Sequence, residues 1–283
     1  MKLLSFQRGG QASWGLLAAD ERVIDGPTLT DGQYRSVRAV LKAQALPSIA
    51  QSVQGRAGDF DLADLQLLPV IPDPGKIVCV GLNYEEHRRE TNREPTGEPT
   101  LFLRVATSQV GHGQPILCPA ESHRVDYEGE IAVVIGKPGR RISEADAYAH
   151  IAGYAPYNDV SVRDWQQHTT QWTPGKNFDA TGAFGPWMAT RDEVPDGTEL
   201  SLTTRVNGEV VQHATTAQLI FSIPRLIHYV SRFATLEAGD VIVTGTPGGV
   251  GFKRNPPLFL KDGDVTEVEV SGVGCLSNGV RAG

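Results

Sequence analysis

Apolar residues fall in short blocks along the chain, most of them the length of a strand. Lys76-Ile-Val-Cys-Val-Gly81, Ile131–Ile135 and Ile151–Tyr157 are apolar without alternation, which predicts strands buried on both faces. Leu200–Val206, Val241–Thr244 and Val265–Val270 predict further strands. The Asn207-Gly208 dipeptide between Leu200–Val206 and Glu209-Val-Val-Gln212 predicts a hairpin, because both central residues of such a turn need positive φ. Near the start, Met1–Phe6, Ser13–Ala18 and Glu21–Ile24 predict three short strands. A helical period places Val37, Val40, Leu41 and Leu46 on one face over Tyr34–Ala50. Asn83–Asn92, Ser161–His168 and Ile223–Phe233 also fit helices. Residues 93–114 are rich in Pro, Gly and Thr and show little period.

Strands outnumber helices and do not alternate with them, which predicts a β-rich α+β fold over a doubly wound sheet. The stretch Leu67-Leu-Pro-Val-Ile-Pro-Asp-Pro-Gly75 holds three prolines and is expected to be a stiff, extended connection. It divides the chain into a small N-terminal α/β domain, 1–70, and a larger domain, 71–283.

Charge narrows the partners. With 33 acidic and 26 basic side chains the formal charge is −7, the wrong sign for a nucleic-acid surface. Cys79, Cys118 and Cys275 are odd in number and widely spaced, so neither a thiolate zinc site nor a disulfide framework is expected. A reducing, cytoplasmic setting fits. There is no apolar run long enough for a signal peptide or a membrane span.

Familiar motifs fail. Gly245-Thr-Pro-Gly-Gly-Val-Gly251 follows a strand but lacks the Lys-Ser/Thr of a phosphate loop, and Pro256 and Pro257 follow soon after. It is read as a tight glycine turn. There is no G-x-S-x-G elbow and no H-E-x-x-H.

The informative run is Val125-Asp-Tyr-Glu-Gly-Glu130, which leads straight into Ile131–Ile135. In a continuous strand Asp126, Glu128 and Glu130 share a face, with Glu128 and Glu130 about 7 Å apart at Cβ. Carboxylates leading into a buried strand repel one another and lose hydration, and a cation answers both costs. Oxygen ligands favour Mg²⁺, with Mn²⁺ or Ca²⁺ next, over Zn²⁺. The plainer reading is a solvated strand end.

Asp159 stands where a strand runs into a helix, in Tyr157-Asn-Asp-Val-Ser-Val-Arg-Asp-Trp-Gln166. Ser161 and Asp164 have the spacing of a capping box. Arg163 and Gln166 share a helical face, and an Arg and an amide suit a carboxylate or oxyanion ligand. His87 and Glu90 are spaced as a base and the acid that orients it. Lys176, in Pro174-Gly-Lys-Asn-Phe-Asp179, could act as a charge clamp. Each of these residues also has an ordinary surface reading.

Taken in order over residues 74–280, these segments resemble the fumarylacetoacetate hydrolase family. Further pieces carry the resemblance: Gly185-Pro-Trp187, Val206-Asn-Gly-Glu209, Thr235-Leu-Glu-Ala-Gly-Asp240, Thr244–Gly251 and Phe259-Leu-Lys-Asp-Gly-Asp264. The resemblance implies a mixed β-sandwich roll, a homodimer, and a divalent ion held by Glu128, Glu130 and Asp159. It implies that His87 and Glu90, on a lid segment spanning 84–114, activate water or move a proton. It places Lys176, Arg163, Gln166 and Thr246 on the carboxylate and oxyanion of a small oxo-acid substrate. Two departures stand out: Arg104 where many members have Lys, and Gly182-Ala-Phe-Gly-Pro186 where many have Pro-Leu-Gly-Pro. Both are expected at the substrate entrance.

The expected activity is hydrolysis of a C–C bond in a diketo acid of the acylpyruvate or fumarylacetoacetate kind, as in aromatic-compound catabolism. The alternatives are decarboxylation of an oxaloacetate-like acid, isomerisation of a hydroxymuconate-type diacid, and, in another class, non-catalytic binding of such diacids.

Overall fold

The computed structural model describes residues 1–283. Its frame is a 13-stranded mixed sheet packed against a five-stranded sheet, with helices on the outer faces. The fold is α+β and strand-rich, as the apolar blocks predict.

The central strands explain their own sequences. Gly129–Ile135 pairs antiparallel with Ile151–Asp159, and every residue of both is buried. Ile131, Val133 and Ile135 enter one core, shared with Leu202, Val268 and Leu276 of the smaller sheet and Leu226, Ile227 and Val230 of the helix Ile223–Phe233. Ala132 and Val134 enter a second core on the opposite face, shared with Val37, Val40, Leu41 and Ile49. A strand between two cores has no polar face to show, hence the unbroken apolar runs.

The first strands extend the large sheet. Lys2–Arg8 pairs with Gln11–Leu17 on one side and with Met188–Thr190 on the other. Leu3, Trp14 and Leu16 share the second core with Ala132 and Val134, so apolar packing crosses residue 70.

Several elements depart from expectation. The helix expected over Tyr34–Ala50 is two, Val37–Lys42 and Leu46–Ser52, because Gln44 takes positive φ between them. Residues 93–114 contain a strand, Thr100–Arg104, at the edge of the large sheet. Its free edge is closed by Asn177, whose Oδ1 accepts from the Val105 N–H and whose Nδ2 donates to the Leu103 carbonyl. The helix expected over Ser161–His168 covers only Arg163–Gln166. The expected hairpin forms, with φ of 52° at Asn207 and 83° at Gly208. No helix is long and apolar enough to cross a membrane.

Candidate functional site

The strand pair Gly129–Ile135 and Ile151–Asp159 brings the acids together. Glu130 pairs with Tyr157 in register, and the Asp159 N–H donates to the Glu128 carbonyl at 2.8 Å. The carboxylates of Glu128, Glu130 and Asp159 each offer an oxygen within 4.8 Å of the others, and all three side chains are buried.

Asp126 does not join them. The run from Val125 breaks after Asp126 and resumes at Gly129, so Val125–Glu130 is not one continuous strand. Asp126 turns away and accepts from Arg163 Nε at 2.8 Å and from the backbone N–H groups of Gly251 and Phe252 at 2.8 and 3.0 Å. The capping pair also fails to form: Ser161 donates to the Asp159 carbonyl, and Asp164 accepts from Ser122.

Three cations sit among these acids. Lys176 Nζ bridges Glu128 at 2.6 Å and Asp159 at 2.7 Å. Arg163 Nη1 reaches Glu128 at 2.6 Å and Gln166 Oε1 at 3.1 Å. Arg104, 3% exposed, reaches Asp159 Oδ1 at 2.5 Å and also holds the Val160 carbonyl and the Thr181 hydroxyl. This corrects the expectation that Arg104 marks the substrate entrance. Apart from its departure from the family's Lys, nothing in the local sequence marks Arg104 for such burial. Gly182–Phe184 is likewise a buried strand, not an entrance lining.

Charge is distributed unevenly. Burial pushes Glu128 up, but Lys176 and Arg163 outweigh it and hold its carboxyl below the ordinary carboxylate range. Burial would also strip the Lys176 proton, but Asp159 and Glu128 keep its pKa raised. Glu130 is in no ion pair, and of the three cations only Lys176 acts to lower its pKa. Burial, then Asp159 and Glu128, push its pKa well above the ordinary range, against the N–H of Gly245 at 2.5 Å. Four buried carboxylates against three cations leave this cluster one positive charge short, and the deficit lies at Glu130. A divalent ion fits the donor set: oxygen ligands, buried, with one carboxylate lacking a counter-charge.

The glycine turn supports this arrangement. Gly245 (φ 106°) and Gly249 (φ 97°) adopt backbone that side-chain-bearing residues rarely take. The freed N–H groups serve Glu130 from Gly245, Glu90 from Gly249 and Asp126 from Gly251. Thr246 donates to the Gly129 carbonyl at 3.0 Å and accepts from Gln212. The N–H groups of these three glycines are thus committed to carboxylates of the protein itself.

His87 and Glu90 lie on a short helix, Glu85–Glu90. Buried Asn83 anchors its start, donating to the carbonyls of Phe221 and Thr244 and accepting from the Phe221 N–H. Glu90 Oε2 lies 3.3 Å from His87 Nδ1. A carboxylate can only accept, so Nδ1 carries the proton and Nε2 of the neutral ring is left as the basic nitrogen.

These groups converge on one cavity of about 760 Å³. His87, Glu128, Glu130, Arg163, Gln166, Lys176 and Thr246 line it, while Asp159 and Glu90 stand one layer behind. Arg163 lines the cavity, and its Nη2 is buried without a hydrogen-bond partner. Sequence reading missed Arg104 and gave Asp126 no separate role. The Lys-to-Arg departure was the one available signal for the first.

Comparison with known proteins bears on this site. The family model described as fumarylacetoacetate (FAA) hydrolase C-terminal matches residues 76–281. The chain is 46% identical over 238 residues to the mitochondrial oxaloacetate tautomerase fahd2 of Xenopus laevis, covering 83% of this chain and 75% of that one. It is 45% identical over 220 residues to the human mitochondrial oxaloacetate tautomerase FAHD2A, covering 77% and 70%. Among solved structures, a fumarylacetoacetate hydrolase from Exiguobacterium antarcticum superposes with TM-score 0.83 at 35% identity, over the whole of both chains. A maleylpyruvate hydrolase from a Sphingobium species, in complex with manganese(II) and pyruvate, superposes with TM-score 0.82 at 27% identity, again over both whole chains.

Proposed function

Because the chain belongs to the fumarylacetoacetate hydrolase family, we propose that it is an enzyme that interconverts the keto and enol forms of a small 2-oxo acid of the oxaloacetate kind. The observation that carries this is the placing of one basic imidazole, held by Glu90, in the same cavity as the buried acids Glu128 and Glu130. Similarity to two oxaloacetate tautomerases supports the choice of substrate.

In this reading Glu128, Glu130 and Asp159 hold a divalent ion, Mg²⁺ or Mn²⁺. When bound, that ion supplies positive charge that lowers the cost of forming an enolate. Arg163, with its spare Nη2, and Gln166 orient the substrate carboxylate. His87 Nε2 takes a proton from the carbon beside the keto group, and the same proton is returned to the keto oxygen. The C–H bond breaks and an O–H bond forms, with no net change in composition. Glu90 stabilises the imidazolium between the two transfers. Lys176, kept protonated by Glu128 and Asp159, contributes positive potential at the oxygen that gains charge, and Thr246 lines the substrate's side of the cavity beside it. In this reading residues 84–114 act as the lid over the cavity, and the protein works as a homodimer. Exposed Leu103, in the edge strand, and Val105, just after it, are suitable for burial between copies.

The dyad also favours a second reading. An imidazole held by a carboxylate can draw a proton from water as well as from carbon, and the similarity to a maleylpyruvate hydrolase points the same way. The substrate would then be a diketo acid cleaved at C–C. A panel of oxaloacetate, an acylpyruvate and a hydroxymuconate-type diacid, followed by enol absorbance and product analysis with and without Mg²⁺, separates the two. Faster decay of the oxaloacetate enol than Mg²⁺ alone produces is the expected result. Cleavage of the acylpyruvate without that acceleration overturns tautomerisation in favour of hydrolysis, and pyruvate appearing from oxaloacetate points to decarboxylation.

A further inference from the structure

The cavity has two unlike ends. Its floor is charged and buried, while its mouth is lined by short polar side chains, among them Thr96, Thr100, Gln167, Thr169 and Gln171. Only six of the 24 lining residues are hydrophobic, so the mouth offers little to an aliphatic or aryl tail, whose binding rests on buried apolar area. It suits a short substrate with a polar far end.

Three charged groups stand at that mouth: Arg93, Glu94 and Lys253. Arg93 and Glu94 are neighbours on the exposed loop after Glu90. Lys253 alone of the three is carried on a turn fastened to the floor. Arg163 and Lys176 on the floor are paired with carboxylates. Lys253 takes part in no ion pair, and its ammonium rests 5.2 Å from the centroid of the Phe252 ring.

The turn that carries Lys253 is tied to the floor. The N–H groups of Gly251 and Phe252 donate to Asp126, and the same carboxylate accepts from Arg163 Nε. The Arg163 guanidinium also lies 4.4 Å from the Phe252 ring centroid. At Gly251 any Cβ would meet the Leu258 carbonyl oxygen at 1.9 Å, so this close approach is open only to glycine. One buried acid and one aromatic ring therefore set the offset between the carboxylate-binding Arg163 and the free ammonium of Lys253.

The geometry points to Lys253 as the residue that selects substrates bearing a second carboxylate, gripping the end of the molecule remote from the metal-binding acids. The assignment rests on the floor being a 2-oxo acid site, and it adds which side chain reads the second carboxylate of such an acid, at the mouth.

The test compares two ligands on the Mg²⁺-loaded protein by calorimetry: pyruvate, which has only the 2-oxo acid end, and difluorooxaloacetate, which has both carboxylates and cannot enolise. Lys253→Met keeps the stem on Phe252 and removes the charge. The expected result is a roughly tenfold loss for difluorooxaloacetate, the size of one charge-assisted hydrogen bond at a half-open site, with pyruvate unchanged and Lys253→Arg restoring the difference. Equal weakening of both ligands, or of neither, overturns the role of Lys253 and leaves the 2-oxo acid reading standing. Failure of the wild-type protein to bind either ligand overturns that reading, and the Lys253 assignment with it.

Discussion

Replacing Arg104 with methionine tests the charge balance of the buried cluster. The stem volume is largely kept, but Asp159 loses the guanidinium at 2.5 Å and is left with Lys176 as its only cation. The Val160 carbonyl and the Thr181 hydroxyl lose a donor as well. Removing one partner of a buried pair costs about 3–5 kcal/mol, because the remaining charge stays desolvated. For a chain of this size that is a Tm fall on the order of 10 °C. The cluster also becomes more negative, so it should hold Mg²⁺ more tightly than the parent does. Binding at a hundredfold excess over Kd returns about 2.7 kcal/mol. Thermal unfolding in EDTA and in Mg²⁺ should therefore show a large loss in the variant that Mg²⁺ narrows. A loss below about 1 kcal/mol in EDTA, or an Mg²⁺ gain no larger than in the parent, would refute the account of Arg104 as a buried counter-charge to a metal-binding acid.

Three further outcomes are expected. Glu90→Gln should lower turnover by about 100-fold or more while Mg²⁺ binding measured by calorimetry persists; unchanged turnover would remove the dyad from the chemistry. Folding raises the Glu130 pKa, so its protonated form stabilises the metal-free protein at low pH, and that contribution is lost as pH climbs through the raised value. Because Mg²⁺ takes the place of that proton, its Tm gain should widen from about pH 5 to about pH 8, and a gain independent of pH would contradict the assignment of Glu130 as a ligand. Gly249→Ala forces a Cβ to 2.3 Å from the Val211 carbonyl oxygen at a φ of 97°. It should cost about 1–3 kcal/mol and displace Glu90, so kcat should fall further than Mg²⁺ affinity does.

Much of the frame was legible from the chain. The unbroken apolar runs marked strands between two cores, and the helix Ile223–Phe233 and the Asn207-Gly208 turn form where local pattern places them. Glu128 and Glu130 were legible because period-two acids before a buried strand are costly without a cation. What local pattern could not supply was long-range pairing. The sequence of Lys2–Arg8 does not say that Met188–Thr190 will lie beside it. Nor does the sequence of Thr100–Arg104 say that its last side chain turns inward to Asp159. Asp126 was misplaced for a related reason. The alternation rule assumes a continuous strand, and the chain breaks its ladder at Tyr127–Glu128 so that one acid can turn to Arg163.

The glycine turn after Val241–Val243 has a bearing on how this enzyme could be redesigned. Its amides steady Glu130, Glu90 and Asp126, the proposed metal ligand, the proposed partner of the base and the anchor of the Lys253 turn, so an insertion there disturbs all three together. The wall built from residues 91–100 and 166–172 has fewer such ties: Gln166 holds Arg163 and Thr91 caps the helix of His87, while the side chains of Thr96, Thr100, Gln167 and Gln171 line the cavity without holding any other group. Variation aimed at new substrates has room to work on that wall, while the turn opposite it tolerates little.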